Sequence, residues 1–161
     1  MNALRRGVVW GLAAVLTVAH LLLHVGFGIG RGAPDLLTVG LLLVAREVGL
    51  GTAASAGLVF GLLEDALSVL AFGANAVAMA AVGILGAVTR DFFVGDSRIF
   101  VVSYFFVGKW TRDFAHWVMV GEGLRQPFAE QVLLQGTVGA AYAAVVGIAL
   151  ATLTGLVGET V

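Results

Sequence analysis

Five ionisable residues lie inside or directly beside apolar stretches of this sequence, and their chemistry is the most informative feature of the chain. Glu64 and Asp65 interrupt one apolar run, and Lys109, Arg112 and Asp113 interrupt another. Ionisable groups are costly in apolar surroundings, so they pair with one another or mark a path for protons or substrates. A proton path needs an acid without a permanent counter-ion, whereas two bases and three acids nearly balance here. We therefore favour a buried ion-pair network that fixes the positions of the helices.

The depth of these residues along their helices predicts which of them pair. At about 1.5 Å rise per residue, Asp65 and Arg112 each lie roughly 20 Å from the start of their apolar segments. We predict an ion pair between Asp65 and either Arg112 or Lys109. A second pair is predicted between Lys109 and Asp113, which are four residues apart on one helix face. Glu64 has no predicted partner and is expected at a membrane interface or against another protein.

Two histidines lie four residues apart in the first apolar segment. His20 and His24 have the spacing of two metal ligands on one helix face, but no acid or third histidine lies near them in the sequence. We interpret them as polar side chains that face neighbouring helices, and we predict neither a metal nor a cofactor.

The sequence has no phosphate-binding loop, nucleophile elbow or catalytic triad pattern, so no enzymatic activity is expected.

The amino-acid composition predicts the surroundings in which these residues must be held. Of the 161 residues, 60% are hydrophobic and only 12% are charged, and the mean hydropathy is +1.02. Lipid must therefore be the solvent of this chain. A net charge of -1 is not that of a nucleic-acid-binding protein. The absence of cysteine excludes disulfides and thiolate metal sites.

Six apolar segments are predicted to be transmembrane helices, so the expected fold class is all-α, a polytopic transmembrane bundle. The whole chain, 1–161, is expected to form a single integral membrane domain. The segment between Pro34 and Arg46 has about 11 apolar residues and is short for a straight crossing of a bilayer core. The approximate bounds of the six segments are 7–29, 35–45, 50–70, 74–89, 99–120 and 130–157.

Arginines in the connections predict the orientation, because basic residues are retained on the cytoplasmic side of a membrane. A cytoplasmic amino terminus and an even number of spans place both termini in the cytoplasm. Five arginines then face the cytoplasm and two face outwards. The inner set is Arg5, Arg6, Arg46, Arg90 and Arg98, and the outer set is Arg31 and Arg125.

A motif across 34–76 resembles the bacterial rod shape-determining protein MreD family. Its residues are Pro34, Asp35, Leu36, Gly57, Gly61, Asp65, Ser68, Gly73, Asn75 and Ala76. Where the family often has Gly and Pro after the serine, this chain has Val69 and Ala71, and Glu64 stands beside the motif acid. Physically, the polar residues around the Gly73 bend predict a polar cap at helix ends that leave backbone groups unpaired.

The resemblance implies a non-enzymatic subunit of the machinery that builds the lateral wall of rod-shaped bacteria and maintains their shape. The implied location is the bacterial cytoplasmic membrane. The implied direct partner is MreC, a single-span protein with a large extracytoplasmic part. Further implied partners are the actin-like MreB, a SEDS glycosyltransferase and a class B penicillin-binding transpeptidase. The implied six-helix fold is similar to that of the substrate-binding subunits of energy-coupling-factor vitamin transporters.

Three functional hypotheses follow. The first is an interaction protein whose glycine-lined grooves receive a partner's helix. The spacing of Gly57 and Gly61, like that of Gly7 and Gly11, is interpreted as close packing between helices of the bundle itself. The second is a transport subunit that binds a vitamin-like molecule at a polar cap. This cap would contain Asp65, Asn75 and Arg112. The short connection around Gly73 favours the first, because such transport subunits need an enclosing outer loop and a roomy pocket. An ion channel is disfavoured, because the buried charges are too few and too balanced to form a pore ring.

Overall fold

The computed structural model describes residues 3–23, 35–68, 71–90 and 98–155, which form six α-helices. They are α1 (Ala3–Leu21), α2 (Leu36–Glu47), α3 (Leu50–Ala66), α4 (Ala74–Thr89), α5 (Arg98–Met119) and α6 (Gly136–Leu153). A 3-10 turn, Glu122–Leu124, follows α5, and a π-helical segment, Ala129–Gln135, leads directly into α6. The described ranges contain no strand. The prediction of an all-α fold is therefore confirmed.

The predicted bounds hold best for α4 and α5, which begin and end within one residue of the expected positions. The end of α3 was predicted too late, because α3 ends at Ala66. The Leu67 N–H already bonds the Glu64 carbonyl at 3.1 Å, a tightening that is typical of a last helical turn. The helix of the first segment reaches Leu21, and residues 24–29 of that segment, including His24, lie outside the described residues, as do Arg31 and Pro34.

The short helix α2 occupies the centre of the bundle, where it contacts α1, α3, α4, α5 and α6. Its residues from Leu36 to Ala45 are all buried. A helix that is apolar on all sides must be enclosed by other elements. The second apolar segment of the sequence is therefore the central helix of the bundle, and its buried residues form a large part of the apolar core.

Consecutive helices run in opposite directions, so one end of the bundle collects arginines. Arg5 Nη2 lies 2.9 Å from Glu47 Oε1, which joins the start of α1 to the end of α2. Arg90 Nη1 donates a hydrogen bond of 2.5 Å to the carbonyl of Val48, which joins the end of α4 to the same place. Arg46 lies in the last turn of α2. We call this end, which contains Arg5, Arg46 and Arg90, the basic end.

Among the described residues, one continuous helical stretch has both the length and the apolar composition of a membrane span. It runs through 25 residues, Ala129–Leu153, and includes the π-helical segment and α6. The helix α4 is apolar but has only 16 residues. The helix α5 has 22 residues but carries Lys109, Arg112 and Asp113. Helix length and composition thus support one membrane span. They do not by themselves support the six spans predicted from the sequence.

Candidate functional site: a buried polar cluster

Asp65 is fully buried in the last turn of α3, and it caps the neighbouring helix. Its carboxylate accepts hydrogen bonds from the backbone N–H groups of Gly73 at 2.9 Å, Asn75 at 3.1 Å and Ala76 at 2.9 Å. The first N–H groups of a helix have no intrahelical acceptor, and a glycine at the cap position has no side chain to supply one. Asp65 therefore provides from α3 the cap that α4 lacks.

Glycines allow α3 and α4 to approach closely enough for this cap. A Cβ atom on Gly61 would lie 2.6 Å from the Ala76 nitrogen, and one on Gly57 would lie 2.7 Å from the Met79 carbonyl carbon. Gly73 has a φ angle of 96°, a conformation that favours glycine. This close approach is the packing role predicted for Gly57 and Gly61, and because α4 fills the groove beside them, that groove is closed to a partner's helix.

Arg112 joins α5 to three other helices. Its Nη2 donates to Glu64 Oε1 at 2.6 Å and to Asn75 Oδ1 at 2.7 Å. Its Nη1 donates to Asp113 Oδ1 at 3.2 Å, and its Nε lies 3.8 Å from Asp35 Oδ2 at the start of α2. The planar guanidinium can hold several acceptors at fixed angles, which a lysine could not do. Arg112 thus connects the ends of α2, α3 and α4 to the interior of α5.

Lys109 is the second cation of the cluster. Its Nζ pairs with Asp113 one helical turn further on, and lies 3.3 Å from Asp35 Oδ2. The Asp35 carboxylate also caps α2, since it accepts from the Thr38 N–H at 3.0 Å and the Thr38 hydroxyl at 2.6 Å. The predicted pair of Lys109 and Asp113 is confirmed. The sequence prediction missed Asp35 as an ion-pair partner, although an Asp three residues before a Thr is a recognisable helix-cap signal.

The predicted ion pair of Asp65 with either Arg112 or Lys109 is wrong: Glu64 pairs with Arg112, and Lys109 pairs with Asp35 and Asp113. Adjacent residues leave a helix about 100° apart, so Glu64 and Asp65 cannot both face α5. Asp65 faces the start of α4, and Glu64, which was predicted to have no partner, faces Arg112. The depth estimate placed the residues at the correct level, but it contained no information on the direction around the helix axis.

A cavity of about 410 Å³ lies beside the ion pairs. Its lining residues come from α1, the end of α3, the start of α4 and α5, and are His20, Glu64, Leu67, Ser68, Asn75, Arg112 and His116. Ser68, which was predicted to contribute to the cap, lies at its edge with an exposed side chain. Within the described ranges, no group of three or more His, Cys, Asp or Glu side chains is placed to hold a metal ion.

The charged groups of the cluster are stabilised by ion pairs with one another and by backbone N–H groups. Its described members are the acids Asp35, Glu64, Asp65 and Asp113 and the bases Lys109 and Arg112. Three backbone N–H groups at the positive end of the α4 dipole stabilise Asp65. The remaining acids share the two cations. Chemically this arrangement is a fixed scaffold that ties four helices together, and the acids that contact a cation are poorly suited to carry protons.

Comparison of the chain with protein-family models, with curated proteins and with solved structures gives no match. The fold and the cluster define a class only, an all-α bundle with an ionic core.

The residues that carry the resemblance to the MreD pattern largely belong to one connected unit. Asp35 caps α2 and pairs with α5, Asp65 caps α4, and Gly57 and Gly61 bring α3 and α4 together.

Proposed function

We propose that this chain is a multi-pass protein of the bacterial cytoplasmic membrane and a non-enzymatic subunit of the cell-elongation complex. In this role it docks MreC and supports lateral peptidoglycan synthesis, and thereby cell shape. Through the complex it acts with MreB, a SEDS glycosyltransferase and a class B penicillin-binding transpeptidase. The observation that supports the proposal is that the motif residues around Asp65 form one connected unit, in which the Asp65 carboxylate accepts hydrogen bonds from the start of α4.

The surface of the helices favours lipid as their surroundings. Large apolar side chains are widely exposed, among them Leu153 at 82%, Ile99 at 75% and Val138 at 69%. Contiguous apolar surface of this kind drives a protein in water to associate. Helices of 16 and 17 residues, such as α4 and α3, can cross where the bilayer thins locally around the bundle. The central helix α2 is covered by its neighbours, so it crosses without contacting lipid.

The basic end supports an orientation for this bundle. Basic residues are retained in the cytoplasm, so the end that contains Arg5, Arg46 and Arg90 is placed there. The carboxyl end of α6 lies at the same end, because six antiparallel helices return the chain to its starting side. The cluster around Arg112 then lies towards the outer side of the membrane.

The surface of α1 offers a face for a single helix such as that of MreC. A Cβ atom built on Gly7 or on Gly11 has no atom within 4 Å outside its own helix. Val15 and Val18, which are 64% and 56% exposed, continue this face along α1. Small residues at a spacing of four allow two helices to approach closely in a membrane. We therefore assign MreC docking to α1 rather than to the filled groove of α3.

Co-purification of MreC from detergent-solubilised membranes tests the proposal. The variant Gly7→Leu/Gly11→Leu covers the proposed face, and Gly51→Leu is the matched control, since Gly51 is also open but lies on α3. We expect the wild type and the control to retain MreC and the double variant to lose most of it. Absence of MreC from the wild-type preparation would reject the docking function. Full retention by a folded double variant would exclude the α1 face.

A transport subunit is the second candidate, and the cavity of about 410 Å³ is the observation that favours it. Transport subunits of this class need a roomy pocket, and this space would provide one. The residues expected to bind the ligand, however, already have partners within the chain, since Asp65 caps α4 and Arg112 bonds Glu64 and Asn75. Tight binding of a vitamin by protein that does not associate with MreC would favour transport.

A further inference from the structure

We infer that the cavity beside Arg112 binds an organic ammonium group, carried either by a small free amine or by an amine-bearing lipid headgroup. This inference does not depend on the docking of MreC, because none of the residues that line the cavity belongs to the proposed docking face of α1. An ammonium group suits the charges around the cavity, one carboxylate oxygen on its wall, and the size and lining of the space.

The charges around the cavity favour a cation over an anion. The donors of the Arg112 Nη atoms are already directed at Glu64, Asn75 and Asp113. An anion would have to displace one of these acceptors and would then lie beside the Glu64 carboxylate, which lines the cavity. Of the described ionisable residues in the cluster, acids outnumber bases by four to two, and the backbone of α4 compensates only Asp65. A ligand that brings positive charge improves this balance.

The two oxygens of the Glu64 carboxylate differ in their hydrogen bonding. Glu64 Oε1 accepts from Arg112 at 2.6 Å. Glu64 Oε2 is buried, and no hydrogen-bond donor among the described residues reaches it. Buried polar atoms in native proteins almost always have a partner, so an orphaned carboxylate oxygen on a cavity wall requires an explanation. An ammonium group has three donors and no acceptor, and it suits this oxygen.

The size and the remaining walls of the cavity favour an organic cation over a bare metal ion. A space of about 410 Å³ is much larger than an ion or a single water molecule requires. Ser68 and His116 provide further polar groups on the walls, and Leu67 provides an apolar one that a short alkyl chain could contact. His20, the other titratable residue that faces the space, is 1% exposed.

Native mass spectrometry of the purified protein in detergent tests the inference directly. Phosphatidylethanolamine is the amine-bearing probe, phosphatidylglycerol is the anionic comparison, and free ethanolamine is the small-amine probe. We expect phosphatidylethanolamine to be retained several-fold better than phosphatidylglycerol by the wild type. Glu64→Gln should lower this retention several-fold. Glu122→Gln, which alters an exposed acid outside the cluster, should leave it unchanged.

A second variant separates loss of the site from loss of the fold. Ser68→Leu fills the edge of the cavity without removing an ion pair, and it should also lower retention several-fold while its melting temperature without ligand stays close to that of the wild type. Free ethanolamine should raise the melting temperature of the wild type but not of Ser68→Leu, since a ligand stabilises the state it binds. A response to phosphatidylethanolamine without a response to ethanolamine would identify the lipid as the source. Preference for phosphatidylglycerol, or binding that Ser68→Leu leaves intact, would overturn the inference.

Discussion

Glu64 Oε1 and Arg112 Nη2 lie 2.6 Å apart, and their hydrogen bond joins the end of α3 to the interior of α5. The next residue, Asp65, is turned towards α4, where three backbone N–H groups bond its carboxylate. Two consecutive acids therefore hold two different neighbouring helices. Breaking a buried ion pair from one side is costly, because it leaves an uncompensated charge behind. The following predictions test this division of roles and the arrangement of helices around it.

Removal of Arg112 should destabilise the protein far more than neutralisation of Glu64. Arg112→Met leaves Glu64, Asp35 and Asp113 with one cation fewer, and we expect a loss of about 3–5 kcal/mol in the free energy of unfolding. Glu64→Gln keeps an oxygen for the guanidinium and should cost about 1 kcal/mol. Denaturant unfolding in detergent measures both variants and the double variant, whose effects should not be additive. Equal losses in the two single variants would contradict the central role of Arg112.

Replacement of Asp65 should loosen the start of α4. An amide at this position cannot accept three N–H bonds with the strength of a carboxylate, so Asp65→Asn should cost about 2 kcal/mol of stability. Backbone hydrogen exchange should accelerate at residues 73–77, whereas residues near the end of α4 should change little. Glu122→Gln provides the control, since Glu122 is exposed. Unchanged exchange at the start of α4 would show that the cap is not needed there.

Gly61→Ala should destabilise the protein, and Gly51→Ala should not, although both residues lie in α3. A Cβ atom on Gly61 would meet the backbone of α4, while one on Gly51 would meet nothing within 4 Å. Overpacking of this kind costs about 1–3 kcal/mol. The same change at an open helical position stabilises by about 0.5–1 kcal/mol, because alanine favours the helix. Melting temperatures of the two variants should thus move in opposite directions, and a common direction would contradict the close contact of α3 and α4.

Tyr104→Phe should weaken the contact of α5 with α2 and α4. The Tyr104 hydroxyl lies 3.0 Å from the Leu42 carbonyl oxygen and 3.2 Å from that of Gly86. Loss of a buried hydrogen bond costs about 1 kcal/mol. Tyr142→Phe is the matched control, because Tyr142 on α6 is 53% exposed. We expect a lower melting temperature for the first variant only, and an equal change in both would show that the buried hydroxyl contributes nothing specific.

The proposed orientation predicts opposite labelling of two engineered cysteines. The chain has no cysteine, so each new thiol is unique. Gly49→Cys lies at the basic end, next to α2, and should react with a membrane-impermeant maleimide only after the cells are permeabilised. Glu122→Cys lies beyond α5 at the other end and should react while the cytoplasmic membrane is intact, once the reagent can reach its outer face. Reaction of both thiols from the same side would reject the alternating arrangement of six spans.

The sequence alone was sufficient for the features that depend on residues close together in the chain. Apolar runs and their polar ends predicted α4 and α5 within one residue. The spacing of four between Lys109 and Asp113 predicted their ion pair, because a helix brings such residues to one face whatever surrounds it. The motif around Gly73 likewise predicted a polar cap at a helix end, with Asp65 as its acid.

Tertiary structure decided the features that depend on how separate helices are rotated and packed. The partner of Arg112 is Glu64 rather than Asp65, a choice set by about 100° of rotation around α3. Asp35 reaches Lys109 only because α2 lies at the centre of the bundle. The cavity is bounded by residues from four helices and therefore has no signal along the chain. Hydropathy and spacing specify position along each helix axis, whereas the angle about that axis is set by the side chains of the neighbouring helices against which it packs.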